Sequence, residues 1–182
     1  MTSGKAKGSE YERTICKQLS KWISEGARDD CYWRSQSSGA RFTQRKKKGT
    51  DTEGQCGDIT STSDIGKILI EKCNIECKFY KDLQIWSLIL SNSKGGMISF
   101  WDQTVRDAES SSRLPIMLCK QNFKPTLFCT DDKLSGFLNS WFSLRPRVTV
   151  LNSVRTMKIY IFEDDILTLD PKMFQQMLSE EK

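Results

Sequence analysis

Apolar residues first recur at helical spacing between residues 9 and 26. Ser9 is a favoured N-cap and Glu12 falls at the third helical position, so the two predict a capping box. Gly26 predicts the end of the helix, near Glu25. Glu12 also lies at the edge of the apolar stripe, so its interpretation as a metal-binding carboxylate stays open beside that of a cap. The stripe contains Tyr11, Ile15, Leu19, Trp22 and Ile23.

Short apolar runs and alternating patterns follow, and they predict strands separated by further helices. The order of elements predicts an α/β fold with a mixed central sheet flanked by helices. The predicted strands lie near Cys31–Arg34, Asp58–Thr62, Lys67–Lys72, Asn74–Tyr80, Pro115–Lys120, Thr126–Thr130, Val148–Leu151 and Lys158–Phe162. The later helices are predicted near Asp82–Leu90, Ser99–Ser112, Asp132–Leu144 and after Asp170-Pro171.

The composition fits one globular domain. Of the 182 residues, 37% are apolar and 28% are charged. No apolar run approaches the ~20 residues of a membrane span, and the first eight residues lack the apolar segment of a signal peptide. We therefore expect a cytoplasmic protein that does not bind membranes.

The chain has seven cysteines and no histidine. An odd cysteine count without a secretory signal indicates reduced thiols. A metal or iron–sulfur site at Cys56, Cys73 and Cys77 is the alternative, but Cys-x-x-Cys spacing is absent. The missing histidine excludes Ser-His and Cys-His nucleophiles and histidine-based zinc hydrolases. Any catalysis therefore depends on carboxylates, lysine, hydroxyls or a metal ion.

The positive charge is concentrated in the first third of the chain. Residues 1–50 hold 12 Lys/Arg and 5 Asp/Glu, a balance of +7, while the remainder holds 16 and 18, a balance of −2. Four consecutive basic residues, Arg45 to Lys48, lie in a predicted loop. Such a distribution favours a phosphate-binding surface. Ordinary solubilising charge is the alternative interpretation.

Two acidic residues and a lysine suggest a catalytic site. Asp58 lies in one short strand, and Glu76 and Lys78 share one face of a later strand because the side-chain period is two. Two carboxylates and an ammonium at the end of a sheet can bind a divalent metal and activate water against a phosphodiester. The alternative is a same-face charge pair on an exposed strand.

Six short motifs occur in the order found in one known superfamily. The chain resembles the PD-(D/E)xK nucleases, and among them the archaeal-type Holliday junction resolvases, over about residues 5–130. The motifs are Lys7-Gly8 with Glu12-Arg13, Arg34 to Gly39, Asp58-Ile59, Ile75 to Lys78, Gln103, and Pro115 to Lys120. Gly57 stands where the superfamily often has proline, the segment 41–54 looks inserted, and residues after about 131 have no counterpart.

The resemblance implies a restriction-endonuclease-like core with a C-terminal α/β extension, about residues 131–182, within a single nuclease domain. It implies that Glu12, Asp58, Glu76 and the Cys77 carbonyl hold Mg²⁺ or Mn²⁺. Lys78 would orient water or stabilise charge, and Ser35 and Gln103 would assist in catalysis. The implied DNA-binding residues are Lys7, Arg13, Arg34, Ser37, Arg41, Arg45, Lys46, Lys47 and Lys48.

The resemblance further implies a homodimer that cuts branched DNA, because a four-way junction is two-fold symmetric. Two alternatives stay open. One is a phage or mobile-element nuclease of the same fold that acts on DNA ends or a specific sequence. The other is a DNA-binding module without catalytic activity.

Overall fold

The computed structural model describes residues 4–35, 57–83, 96–151 and 155–180. The helices are α1 (Gly4–Ile23), α2 (Lys67–Lys72), α3 (Gly96–Ser110), α4 (Asp132–Phe142) and α5 (Pro171–Glu180). The strands are β1 (Tyr32–Arg34), β2 (Ile59–Ser61), β3 (Cys73–Tyr80), β4 (Leu114–Gln121), β5 (Thr126–Thr130), β6 (Val148–Leu151) and β7 (Thr156–Ile161).

Five strands form the central sheet, in the order β3-β4-β5-β7-β6. β3 and β4 run parallel and are connected through α3, while the other neighbours are antiparallel. The predicted mixed sheet with flanking helices is therefore confirmed. β1 and β2 form a separate antiparallel ribbon.

The alternation of side chains divides the core between the two faces of the sheet. Ile75 and Cys77 of β3 face one cluster, which includes apolar residues of α1, α2, α4 and α5. Met117 and Cys119 of β4 face the other cluster, where α3 contributes Trp101. Both faces are therefore covered by helices, while β3 lies at one edge of the sheet.

The first helix has the predicted apolar stripe but begins earlier than predicted. Helix α1 starts at Gly4, so Ser9 lies inside it and the predicted N-cap and capping box are wrong. Lys5, Ala6 and Lys7 are favourable helix residues and extend the helix upstream of Ser9. The carboxylate of Glu12 is consequently not needed at the helix start.

The second correction concerns residues 67–72, which were predicted as a strand and form α2. Leu69 and Ile70 are the buried residues of this short helix. Lys67 and Glu71 pair at 3.5 Å with the i,i+4 spacing of a helix. A six-residue apolar run cannot be assigned to helix or strand by its periodicity alone.

The C-terminal segment joins the same sheet. Its predicted hairpin is confirmed, because β6 and β7 pair antiparallel and β7 also pairs with β5. Asp170 caps α5 as predicted, since its carboxylate accepts a hydrogen bond of 2.8 Å from the Met173 N–H. The helix predicted near Asp82–Leu90 lies mostly outside the described residues.

Two further features concern the thiols and membranes. Within the described ranges six cysteines are free, buried thiols, namely Cys16, Cys31, Cys73, Cys77, Cys119 and Cys129. None of the helices described here is both long and apolar enough to cross a bilayer.

Candidate metal and catalytic site

Asp58 is held against the edge of β3 that faces away from β4. Its N–H donates to the Ile75 carbonyl at 2.8 Å, and its carbonyl accepts from the Ser35 N–H at 2.8 Å. One carboxylate oxygen, Oδ2, accepts from the Cys77 N–H at 2.9 Å. The backbone of β3 therefore fixes both the main chain and the side chain of Asp58, which is 6% exposed.

Gly57 makes this close approach possible. Its φ is +79°, and a Cβ atom at this position would lie 2.6 Å from the Ile75 carbonyl oxygen. Proline, which is fixed near a φ of about −65°, cannot adopt this backbone. Local steric constraints therefore explain why position 57 is a glycine. The Ser35 hydroxyl donates to the Gly57 carbonyl at 2.8 Å, so Ser35 supports the turn that carries Asp58.

Glu76 and Lys78 lie side by side on one face of β3. Lys78 Nζ is 3.2 Å from Glu76 Oε2, and Glu76 is buried. Burial and the nearby Asp58 carboxylate raise the pKa of Glu76 to about 8, in spite of Lys78. Burial also raises the pKa of Asp58, while the hydrogen bond from the Cys77 N–H and the charge of Lys78 oppose that rise. Burial therefore disfavours full negative charge on both acids at the same time.

Lys78 keeps its charge in this setting. Burial lowers its pKa, but the carboxylates of Glu76 and Asp58 and a smaller effect of Tyr80 outweigh burial, and the net shift is upward. Lys78 Nζ also lies 5.8 Å from the centre of the Phe100 ring. An ammonium is consequently available beside the two carboxyl groups.

Glu12 approaches the same place from α1, on the other side of Asp58. Its Oε2 accepts a hydrogen bond of 2.8 Å from Arg34 Nε, so an ion pair links α1 to β1. Burial and the Asp58 carboxylate raise the pKa of Glu12, while Arg34 opposes the rise. Asp58 thus interacts electrostatically with Glu12 on one side and with Glu76 on the other.

The donor set fits a hard divalent cation. Oxygen ligands suit Mg²⁺ and Mn²⁺, and a cation bound by Asp58 and Glu76 would offset the repulsion that helps to raise the pKa of Glu76. The Cys77 N–H and C=O point toward the same side of β3, so the carbonyl also faces Asp58. Among the described residues, no three Cys, Asp or Glu side chains form a complete metal site by themselves. Backbone oxygen and water would complete the coordination.

Asn74 is a residue that the sequence motifs missed. It lies on the same face of β3 as Glu76 and Lys78, is fully buried, and neither its Oδ1 nor its Nδ2 has a hydrogen-bond partner among the described residues. Its Oδ1 would lie 3.0 Å from a Cβ at position 57. Asn74 therefore adds a buried amide beside the turn that carries Asp58. The two-residue side-chain period of β3 is the sequence signal that places Asn74 on the same face as Glu76.

Helix α3 contributes Phe100 and Asp107 to the site. Phe100 lies near Lys78, and Asp107 is a minor contributor to the raised pKa of Glu76, after burial and Asp58. Gln103 is exposed on the same helix. The helical spacing of seven between Phe100 and Asp107 is the sequence signal that places them on one face.

The predicted DNA-binding residues divide into two groups. Lys7 and Arg13 are exposed on α1, and Arg34 is half-buried in its pair with Glu12. The others lie outside the described residues: Ser37, Arg41, Arg45, Lys46, Lys47 and Lys48.

A mixed sheet flanked by helices, with Asp58 packed against a Glu76-x-Lys78 strand, defines the PD-(D/E)xK class of nuclease folds. A family model described as "Phage putative PDDEXK endonuclease" matches residues 3–175. The chain belongs to that family, and the predicted superfamily is confirmed. Searches of the curated proteins and of the solved structures gave no match to this chain.

Proposed function

We propose that this protein is a metal-dependent DNA endonuclease that hydrolyses phosphodiester bonds. The observation that carries the proposal is the placement of Asp58 against the strand of Glu76 and Lys78, where the Cys77 N–H donates to Asp58 Oδ2 at 2.9 Å and Lys78 Nζ lies 3.2 Å from Glu76 Oε2. Both acids are buried, and burial and the Asp58 carboxylate raise the pKa of Glu76 to about 8. Membership in an endonuclease family supports the same activity.

Asp58, Glu76 and the Cys77 carbonyl would hold the ion, and Glu12 would act directly or through water. A bound Mg²⁺ or Mn²⁺ lowers the pKa of coordinated water and offsets charge on the phosphate. Lys78 orients the attacking water or stabilises developing negative charge as a point cation. Its pair with Glu76 fixes its position before substrate binds. Ser35 holds the turn that carries Asp58, and Gln103, which is exposed on α3, would help to position Lys78 or the substrate.

DNA would contact the basic first third of the chain. Lys7 and Arg13 are exposed on the helix that carries Glu12, so backbone phosphates would bind along that helix. The basic run at residues 45–48 would add further phosphate contacts. Arg34 neutralises Glu12 and retains guanidinium donors for phosphate.

The kind of DNA that is cut is the more specific part of the proposal. The motif order favours a homodimer that cuts branched DNA, because paired sites can cut two strands of one junction. The family match to phage endonucleases fits the second candidate as well, a phage or mobile-element nuclease that acts on DNA ends or on a specific sequence. Both candidates use the same acids and Lys78.

A cleavage panel tests the activity and separates the two candidates. Wild-type protein and Asp58→Asn would be incubated in Mg²⁺ with a four-way junction, a flap, a linear duplex and a single strand. We expect the wild type alone to cut. Preference for the junction, with a dimer in sedimentation, supports the resolvase-like candidate, whereas equal cutting by a monomer supports the other. Binding without cleavage of any DNA would contradict the proposed activity.

A further inference from the structure

Tyr80 carries an exposed ring on the same face of β3 as the candidate site. It follows Lys78 by two residues, so the two side chains project from one face, roughly 7 Å apart along the strand. The Tyr80 ring is 43% exposed. Single exposed aromatic rings are common on proteins, so its significance depends on its surroundings.

The Tyr80 ring is held in place by α3. It stacks on Phe100 with the ring centres 4.7 Å apart and the planes inclined by 22°. Trp101, next to Phe100, is buried in the core, which anchors this part of the helix. A ring that is ordered in advance loses little conformational entropy when a ligand stacks on it.

The stacked pair adjoins the ammonium of the site. Lys78 Nζ lies 5.8 Å from the centre of the Phe100 ring and 3.2 Å from Glu76. A phosphate near Lys78 would therefore place a neighbouring nucleotide within reach of Tyr80. Positive charge beside an aromatic platform is the combination that binds single-stranded nucleic acid.

We propose that the Tyr80–Phe100 pair is a stacking platform for an unpaired nucleobase next to the scissile phosphate. This inference rests on the proposed nuclease function and specifies its substrate class, namely DNA with an unstacked nucleotide at or beside the cut. Inside a duplex, neighbouring base pairs cover both faces of each base. A base must therefore leave the stack before it can contact a protein ring.

A double-mutant cycle tests the platform in the full-length protein. The probes are a duplex with one bulged nucleotide, the same duplex with an abasic site at the bulge, and the fully paired duplex. Dissociation constants would be measured in EDTA for the wild type, Tyr80→Ala and Tyr80→Phe. Phe123→Ala serves as the control, because Phe123 is a fully exposed ring in the turn between β4 and β5.

We expect Tyr80→Ala to weaken binding to the bulged duplex by about 5- to 150-fold, the range of base–aromatic stacking. Tyr80→Phe keeps the ring and should bind within about twofold of the wild type. The abasic site should weaken wild-type binding by a similar factor and should not weaken Tyr80→Ala further. The fully paired duplex and Phe123→Ala should show no such coupling.

Equal weakening of all three DNAs by Tyr80→Ala, or additive effects of Tyr80→Ala and the abasic site, would overturn the inference. The same DNAs incubated with Mg²⁺ keep this result separate from the proposed activity. Cleavage without coupling would leave the nuclease proposal in place and remove the platform. Coupling without cleavage would retain the platform as a base-binding site and contradict the nuclease proposal.

Discussion

Replacing Glu76 by glutamine should stabilise the metal-free protein at neutral pH. The amide can donate to Asp58 and accept from Lys78, as a protonated Glu76 does, but it carries no charge. In the wild type, burial and Asp58 raise the pKa of Glu76 from its ordinary value of 4.5 to about 8. Folding at pH 7 therefore requires the uptake of a proton that glutamine does not need.

The magnitude follows from proton linkage. A carboxyl group with a raised folded pKa destabilises the protein as pH rises from the unfolded toward the folded value. Each pKa unit corresponds to about 1.4 kcal/mol. At pH 7 the raised pKa of Glu76, compared with its ordinary value of 4.5, therefore lowers the free energy of unfolding by about 3 kcal/mol. For a domain of this size that corresponds to about 6–12 °C in melting temperature. At pH 5 the difference should fall below about 1 kcal/mol.

Thermal unfolding in EDTA between pH 5 and pH 8 measures this effect. The matched control is Glu71→Gln, which changes an exposed glutamate of α2 paired only with Lys67 in the described structure. We expect the control to change stability by a few tenths of a kcal/mol at every pH. A Glu76→Gln protein that is less stable than the wild type at pH 7, or a gain that does not depend on pH, would refute the reasoning.

Three further predictions follow from other parts of the chain. Asp58→Asn should reduce cleavage to background while retaining DNA binding, because it removes a ligand charge and also repulsion of phosphate; normal cleavage would contradict this. Alanines at residues 45–48 should lower the slope of log affinity against log salt by roughly 0.9 per lost phosphate contact, as measured by titration at several salt concentrations; an unchanged slope would leave these residues without a DNA contact. Asp165→Asn should destabilise the protein by about 1–2 kcal/mol at pH 7 because Arg147 and the Ile161 N–H hold its pKa below the usual value. This stabilisation should begin to fall as pH drops below about 4 and should be lost as pH falls through the lowered pKa of folded Asp165, so a loss that does not shrink at all below pH 4 would count against it.

Helices and strands were predicted well from the sequence where a periodic apolar pattern extended over many residues. The five apolar positions of α1 are all buried, and the strand at residues 73–80 was found with one residue of error. The start of α1 and the identity of α2 were wrong because capping signals and six-residue apolar runs are local cues. Neither cue contains information about the contacts that the segment makes with the rest of the chain.

The part of the candidate site that the sequence predicted is the part in which two residues lie on one strand. Glu76 and Lys78 are neighbours through the strand period alone. The pair of Glu12 with Arg34 joins residues 22 positions apart, so it depends on how β1 packs against α1. Asn74 and Tyr80 follow the same period as Glu76 but lie outside the recognised motif.

The central claim is that Asp58 and Glu76 bind a divalent ion that supports DNA hydrolysis. The most direct test is the initial rate of cleavage of one labelled DNA as a function of Mg²⁺ concentration, for the wild type and Asp58→Asn purified in parallel. We predict no cleavage in EDTA, a saturable rise with Mg²⁺ for the wild type, and background rates for Asp58→Asn throughout. Cleavage by the wild type in EDTA, or equal rates for the two proteins, would contradict the claim.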